Sequence, residues 1–411
     1  MIKKGMKKMK CQICQNNNLV KFLDLGNHPP PLNFVKKSQN GINQELFPLQ
    51  VFHCNTCGLV QLGNAVDPNV MFKEYTYTSG VSTVFKKHLN EFASYIVDKF
   101  KLTNNDLVID IASNDGTLLD SFKKFGVKVL GVEPSNTAKI AINNDIPTIN
   151  DFFSEEVGNN ILKDHSKAKI ITATNVFAHV DKLDSFMKGI KLILENDGCF
   201  VSESQYLPDV VKKLEYDTIY HEHLRYYGLK QLVYLFEKYE MDVFAAEKIH
   251  AQGGSIRVFA CFKNKFEISD SVKKIINEEN KMQYSSLDTL QNFAKKVQEN
   301  KNELKNLLEK LKNEGKTIVG ISAPARSSTV LNYCKIGPDI LKYIAEKSTL
   351  KIGKLSPGMH IPVMNDNELK NTNPDYALLL SWHMKDSIIP KIRHDGFKGK
   401  FIIPLPNVEI I

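Results

Sequence analysis

The sequence predicts an α/β chain of three parts: a small cysteine-knuckle module, a central Rossmann-like domain, and a second α/β domain of nucleotide-binding type. Three observations predict it. Two C-x-x-C pairs stand near the N-terminus, short apolar strands alternate with helical patterns from 107 to 206, and a second such alternation begins at 316. Strand–helix alternation indicates a parallel sheet, because parallel strands need crossover connections. The expected boundaries are 1–68 for the module, 69–265 for the central domain, and 266–411 for the C-terminal domain with its helical arm.

Bulk composition fits this division. At about 150 residues per domain, 411 residues allow two or three domains. The chain is 42% hydrophobic and 24% charged, which is globular rather than disordered composition. No uninterrupted apolar run of about 18 residues is found, so no membrane span is expected. The start MIKKGMKKMK is basic and lacks the apolar stretch of a signal peptide, so a solvated terminus and a cytoplasmic location are expected. The net charge of +8 is spread over Lys-rich helical stretches with acidic neighbours, as in 269–316. That pattern suits a solvated surface, and no nucleic-acid partner is expected. Seven cysteines, an odd number without a secretory signal, argue against a disulfide framework. Cys199, Cys261 and Cys334 read as small core residues.

The first 68 residues read as short strands and turns around HPPPL (28–32), too small to bury much apolar surface without a staple. Cys11-Gln-Ile-Cys14 and Cys54-Asn-Thr-Cys57 supply one. Four thiolates at this spacing suit tetrahedral zinc, and Gly58 gives the tight turn after the second knuckle. With all four positions filled by sulfur, the site is expected to be structural, not catalytic. Metal binding then contributes folding free energy.

In the central domain, 83–100 carries apolar residues at helical spacing. The run LVIDIASNDGTLLDSF (107–122) reads as a buried strand, a tight turn and a helix, and strands follow at 128–135, 169–177 and 198–206. A strand ending in an acid, then a small-residue turn and a helix, holds a nucleoside-bearing cofactor. Here the acid is Asp110 and the turn runs Ala112-Ser113-Asn114-Asp115-Gly116. Glu133, followed by Pro134 and Ser135, ends the next strand, where an acid accepts from ribose hydroxyls. Asp151-Phe152-Phe153 offers a carboxylate and a ring for adenine, with one of the two rings expected to pack in the core. Asn175 closes the fourth strand. The turn lacks the G-x-G-x-x-G of a nicotinamide dehydrogenase. The ordered set therefore points to S-adenosylmethionine.

From 269 to 316 the pattern is helical and charged, the arm between domains. Strand patterns follow at 316–334, 343–348, 376–382 and 400–406.

Nearly the whole chain resembles the sugar C-methyltransferases that act on nucleotide-linked deoxysugars. The pieces that carry the resemblance, in the family's order, are the zinc knuckles, YTYTSGVSTVFKKH (75–88), DIASNDGTLL (110–119), GVEPS (131–135), NVFAHV (175–180), YDTIYHEHLRYYG (216–228), GGSIRVF (253–259), GISAPARSST (320–329) and LKIGKLSPGMHIP (350–362). Two departures stand out: Ala112 where a Gly is usual, and AEKST (345–349) where the family has an Asp-Arg-Asn-Pro-like stretch. The second leaves the nucleotide or sugar open.

The resemblance implies a C-terminal domain that holds the substrate's nucleotide, and methylation of a 4-keto sugar at the adjacent C-3, for surface polysaccharide or glycoconjugate sugars. Carbon becomes a nucleophile beside a carbonyl once a base removes the α-proton and a donor steadies the enolate oxygen. His suits a base near neutral pH. On local grounds Tyr220-His221-Glu222-His223 is an H-x-H that a surface turn would also give; inside this resemblance His223 is the favoured base. Glu222 or Tyr220 would orient the sugar or the imidazole, and Tyr220 and His223 would share a face if the segment is helical. His179 is the second candidate base or an enolate donor. Tyr75 and Tyr77 are candidates for the mouth of the site, and Arg326 and Lys354 for the diphosphate. A monomer or small homo-oligomer is expected. Competing readings are a sugar O- or N-methyltransferase, a zinc-containing RNA methyltransferase, and a non-catalytic scaffold.

Overall fold

A computed structural model of the chain describes residues 9–39, 44–72 and 75–411, so most of the expected solvated start, residues 1–8, lies outside the described residues. Among those described, no helix is long and apolar enough to cross a membrane.

The central sheet has seven strands. Its order is Met241–Ile249, Ser255–Phe262, Leu194–Gln205, Ala168–Thr174, Leu107–Ile111, Lys128–Val132, Thr148–Ile149. The last five are parallel and the first two antiparallel. Leu107–Ile111 is buried at every residue, as a strand covered on both faces must be. Chain order reverses on either side of it, which opens a crevice at the strands' carboxyl ends. The helix Thr83–Phe100 has the span that periodicity predicts: Ser82 caps it through the amide of Phe85, and Leu89, Phe92, Ala93 and Ile96 form its buried face. The antiparallel pair Met241–Ile249 and Ser255–Phe262 was not anticipated. Its apolar runs carry no helix between them and so no crossover signature.

The C-terminal sheet has six strands around Ile318–Ile321, which lies between Leu341–Glu346 and Tyr376–Leu379 in parallel register. Chain order reverses there as well. The arm is the helix Asp270–Met282 followed by the helix Leu287–Asn313.

The N-terminal module forms a four-stranded sheet of Leu19–His28, Phe47–Cys54, Val60–Leu62 and, from far along the chain, Arg225–Tyr226. Its apolar side merges with the rest: Leu23, Leu49 and Val51 share one buried cluster with Leu304, Ile318 and Leu378. The strand pair Lys354–Leu355 and Val35–Lys36 ties the module to the C-terminal part.

Candidate active site

The carboxyl ends of the parallel strands in the two large sheets face one cavity of about 1050 Å³. The central sheet contributes Asp110 to Asn114, Glu133, Asn175, Ser204 and Gln205, and the C-terminal sheet contributes Ser322, Arg326, Glu346 and Ser381. Leu32 of the HPPPL run reaches in from the N-terminal module.

The half of the cavity at the central sheet is built from backbone turned into unusual conformations. Ala112, Asn114 and Asn175 all have left-handed backbone, with φ of 55°, 53° and 57°. Ala112 therefore occupies a conformation that Gly takes more easily, which explains why Gly is usual there. Asp110 accepts a 2.6 Å hydrogen bond from the Thr172 hydroxyl, and burial pushes its carboxyl up to about 7. Glu133 accepts from the amides of Asn114 (2.9 Å) and Ser135 (2.8 Å). Two amides leave its remaining lone pairs free for hydroxyl donors. At Gly131 an added Cβ would lie 2.4 Å from the Ser113 hydroxyl, so the strand behind the turn has no room for a side chain. The Asn175 side-chain nitrogen is buried without a partner among the described residues. An acid at the second strand end, bare turn backbone and an orphaned amide facing the cavity fit a nucleoside cofactor with an amino-acid tail.

Not every cofactor candidate lines this space. Phe152 (38% exposed) and Phe153 both line the wall; Phe153 is half-buried and packs edge-on against Phe186, so neither ring is withdrawn into the core. Pro134 and Asp151 also line it. Asp115, Gly116 and Ser135 do not. Asp115 instead accepts from the amide of Gly80 (2.8 Å) and the hydroxyl of Thr117 (2.6 Å), and Gly116 starts the helix Thr117–Lys123 with φ 77°. Together with Asn114, which accepts from the amide of Ser79, Asp115 fixes the segment that carries Tyr75 and Tyr77.

The segment Tyr220 to His223 is a turn, not a helix; the amide of His223 donates to the carbonyl of Tyr220 (2.9 Å). The two rings still meet, with centroids 4.1 Å apart. His221 points away and bonds the Phe47 carbonyl of the module (3.2 Å), so it leaves the cavity to Glu222 and His223. His223 Nδ1 lies 2.7 Å from the Thr218 carbonyl oxygen. A carbonyl only accepts, so Nδ1 carries the proton and Nε2 keeps its lone pair. Burial lowers the imidazole to about 4, which leaves it neutral at pH 7. His179 is 5.0 Å away, ring to ring, and burial holds it well below its usual range. Glu222 accepts from the Tyr75 hydroxyl at 3.0 Å, and burial pushes its carboxyl up to about 7. Burial also holds the Tyr220 and Tyr75 hydroxyls protonated, well above the usual tyrosine value.

Away from the cavity, the sulfurs of Cys11, Cys14, Cys54 and Cys57 all lie within 4.8 Å of one another. Cys11 to Cys57 is 3.5 Å and Cys14 to Cys54 is 3.6 Å. Tetrahedral zinc with bonds of about 2.3 Å needs sulfurs about 3.8 Å apart, so the four fit a closed structural site.

Three family models match in chain order: a zinc binding domain over residues 11–72, a methyltransferase domain over 85–245, and a C-methyltransferase C-terminal domain over 250–406. The C-methyltransferase NovU of Streptomyces niveus is 30% identical over 406 residues, covering 98% of this chain and 96% of its own. The chain belongs to this C-methyltransferase family. It is a methyltransferase that depends on S-adenosylmethionine and carries a zinc-binding module. Among solved structures, an S-adenosylmethionine-dependent methyltransferase from Clostridium acetobutylicum is 14% identical over 44% of this chain and 92% of its own, with a TM-score of 0.35. The PH0226 protein of Pyrococcus horikoshii is 15% identical over 46% and 95%, with a TM-score of 0.37.

On the far wall of the C-methyltransferase cavity, Arg326 is present but occupied. Its Nε and Nη2 donate to the two carboxylate oxygens of Asp217 at 2.7 and 2.8 Å. Lys354 does not line the cavity; it lies in the two-residue strand paired with Val35–Lys36. Lys351, one turn earlier, does, and it donates to the Ala323 carbonyl at 3.0 Å. The departing segment AEKST supplies Glu346, which accepts from the Ala323 amide at 2.9 Å. Sequence reasoning also missed Ser204 and Gln205, whose Oγ and Oε1 are buried without partners among the described residues. Their position at the end of the strand over 198–206 was the available signal.

Proposed function

We propose that this enzyme methylates a nucleotide-linked 4-keto-deoxysugar at the carbon beside the ketone, C-3, through an enolate. The observation that carries the reading is the His223–Glu222 pair: a neutral imidazole with Nε2 free, next to a buried carboxyl poised near neutrality.

His223 Nε2 takes the α-proton, and the C–H electrons move into the carbon–carbon bond as the ketone becomes an enolate. Glu222 in its acid form and Tyr220, held protonated, donate hydrogen bonds to the developing oxyanion. Asp110, the Ala112–Asn114 turn, Glu133, Phe152 and Asn175 would hold S-adenosylmethionine, which would supply an electrophilic methyl to the enolate carbon, its sulfonium becoming a neutral thioether. His179 faces His223 as a neutral second imidazole, placed to receive or return a proton. Tyr75 anchors Glu222, and Tyr77 closes the mouth beside it.

The C-terminal switch point, with Ser322, Lys351 and Ser381, is where the nucleotide would lie, since ligands of open α/β sheets bind at the strands' carboxyl ends. A second set of strand ends across one cavity supports a two-part substrate. The family match favours carbon over oxygen or nitrogen as acceptor.

The test is methyl transfer from S-adenosylmethionine against a panel of nucleotide-linked 4-keto sugars, with product NMR. A methyl bonded to the carbon next to the ketone is expected. An O-methyl product, or turnover on none of the panel, would sink the reading.

A further inference from the structure

The base of the reaction proposed above is set by residues of a different domain. His223 is oriented through the Thr218 carbonyl, and Thr218 ends the short 3₁₀ turn Tyr216–Thr218. The C-terminal part grips two residues of this turn and the residue that follows it. The Tyr216 hydroxyl donates to Asn300 on the arm (3.0 Å). Asp217 accepts from Arg326 Nε and Nη2, and from the indole nitrogen of Trp382 at 2.7 Å. The Thr329 hydroxyl donates to the Ile219 carbonyl at 2.7 Å. Asp217, Arg326 and Trp382 are all buried.

A guanidinium binds a phosphate or a carboxylate best through one two-donor edge. In Arg326 such an edge is already spent on Asp217, and Trp382 packs over its face at 5.2 Å. That arrangement suits a structural fork better than a free diphosphate contact.

We infer that Asp217 and Arg326, with Trp382, are positioning residues for His223: they lock the turn whose Thr218 carbonyl fixes the imidazole tautomer. The C-terminal domain thereby completes the base of the central domain. The YDTIYHEH and SAPAR segments, more than 90 residues apart, act as one unit through this ion pair. The inference rests on His223 being the base.

The test needs no substrate in its first arm. In the full-length, zinc-loaded protein with ¹⁵N-labelled histidine, His223 should give the signature of a neutral Nδ1–H tautomer. Asp217→Asn removes an oxygen acceptor and places an amide against the guanidinium, and that signature should be lost. Trp382→Phe, which deletes a single donor and keeps the bulk, serves if Asp217→Asn does not fold, and should weaken it. In the second arm, with the best acceptor from the 4-keto sugar panel, Arg326→Lys keeps the charge but not the fork. Positioning predicts that kcat falls about 100-fold, the scale of a misplaced catalytic group, with little change in KM. A phosphate contact predicts the reverse, a raised KM with kcat kept, and that result would overturn the inference. So would an unchanged tautomer signature in the folded variants. If His223→Ala keeps full turnover, the reading of the base fails. If His223→Ala is inactive while Asp217→Asn and Trp382→Phe behave as wild type, only the positioning inference fails.

Discussion

The hydroxyl of Tyr75 donates to the carboxylate of Glu222 at 3.0 Å, joining residues 147 apart in the chain. Glu222 has one further oxygen, buried and without a partner among the described residues. Among the described residues, Tyr75 is thus the single side-chain partner that favours the ionised form of this acid. Tyr75→Phe should raise the Glu222 pKa further and loosen its aim. Loss of aim should lower turnover roughly 3- to 10-fold, the worth of one neutral hydrogen bond, since the acid form of Glu222 is the one the reaction uses. S-Adenosylmethionine affinity should hold in calorimetry. A variant with wild-type turnover would show that the contact is incidental.

Glu222 also gives a pH signature in stability. Its folded value of about 7 lies above the ordinary glutamate value of 4.5, so the native state binds this proton more tightly than the unfolded chain does. Below about pH 4.5 the group costs nothing, and the penalty grows as pH rises to about 7. Glu222→Gln removes it. The variant should gain on wild type by up to about 3 kcal/mol between pH 4.5 and pH 8. Urea unfolding at both pH values reads this, with Trp382, the single tryptophan, as the fluorophore. A pH-independent difference would contradict the assignment.

Zinc should be worth more than the fold of its own module. Gln231 donates to the Cys57 carbonyl (3.3 Å), Lys238 to the Ile13 carbonyl (2.8 Å), and Arg225–Tyr226 is a strand of the module's sheet. Purified protein should hold about one zinc per chain. Chelation, or Cys54→Ser, should lower the melting temperature and strip hydrogen-exchange protection from 225–226 as well as from the knuckles. Protection retained at 225–226 in metal-free protein would refute the coupling.

Ala112→Gly probes the strained turn. With φ at 55°, Ala carries a left-handed penalty that Gly lacks, partly offset by the greater freedom of Gly in the unfolded chain. Stability should rise by up to about 1 kcal/mol in thermal melts, with cofactor affinity kept. A clear loss would mean that the Ala112 side chain contributes packing that the backbone argument omits.

Much of this was legible in the sequence because the signals were local. The cysteine knuckles, the strand ending at Asp110 and the helix over 83–100 each announce themselves within a few residues. What was hidden depends on pairing at long range. Arg225–Tyr226 reads as part of a catalytic segment, yet it is a strand of the N-terminal sheet. Arg326 reads as a free cation until Asp217 is found against it. Asp217 lies inside the YDTIYHEHLRYYG segment, but nothing in its neighbours says that a carboxylate there is buried and matched. His221 and His223 are equivalent in an H-x-H pattern. The turn, which sequence periodicity did not define, sends one to the module and the other into the cavity.

The central claim is that His223 abstracts a proton beside a ketone. Incubating the enzyme in deuterated water with nucleotide-linked 4-keto sugars, and following the α-proton by NMR, tests it before any methyl is transferred. Wild-type protein should exchange that proton into solvent, and His223→Ala should slow the exchange by about 100-fold or more, as loss of a general base does. Exchange at the wild-type rate in a variant lacking both His179 and His223 would contradict the account.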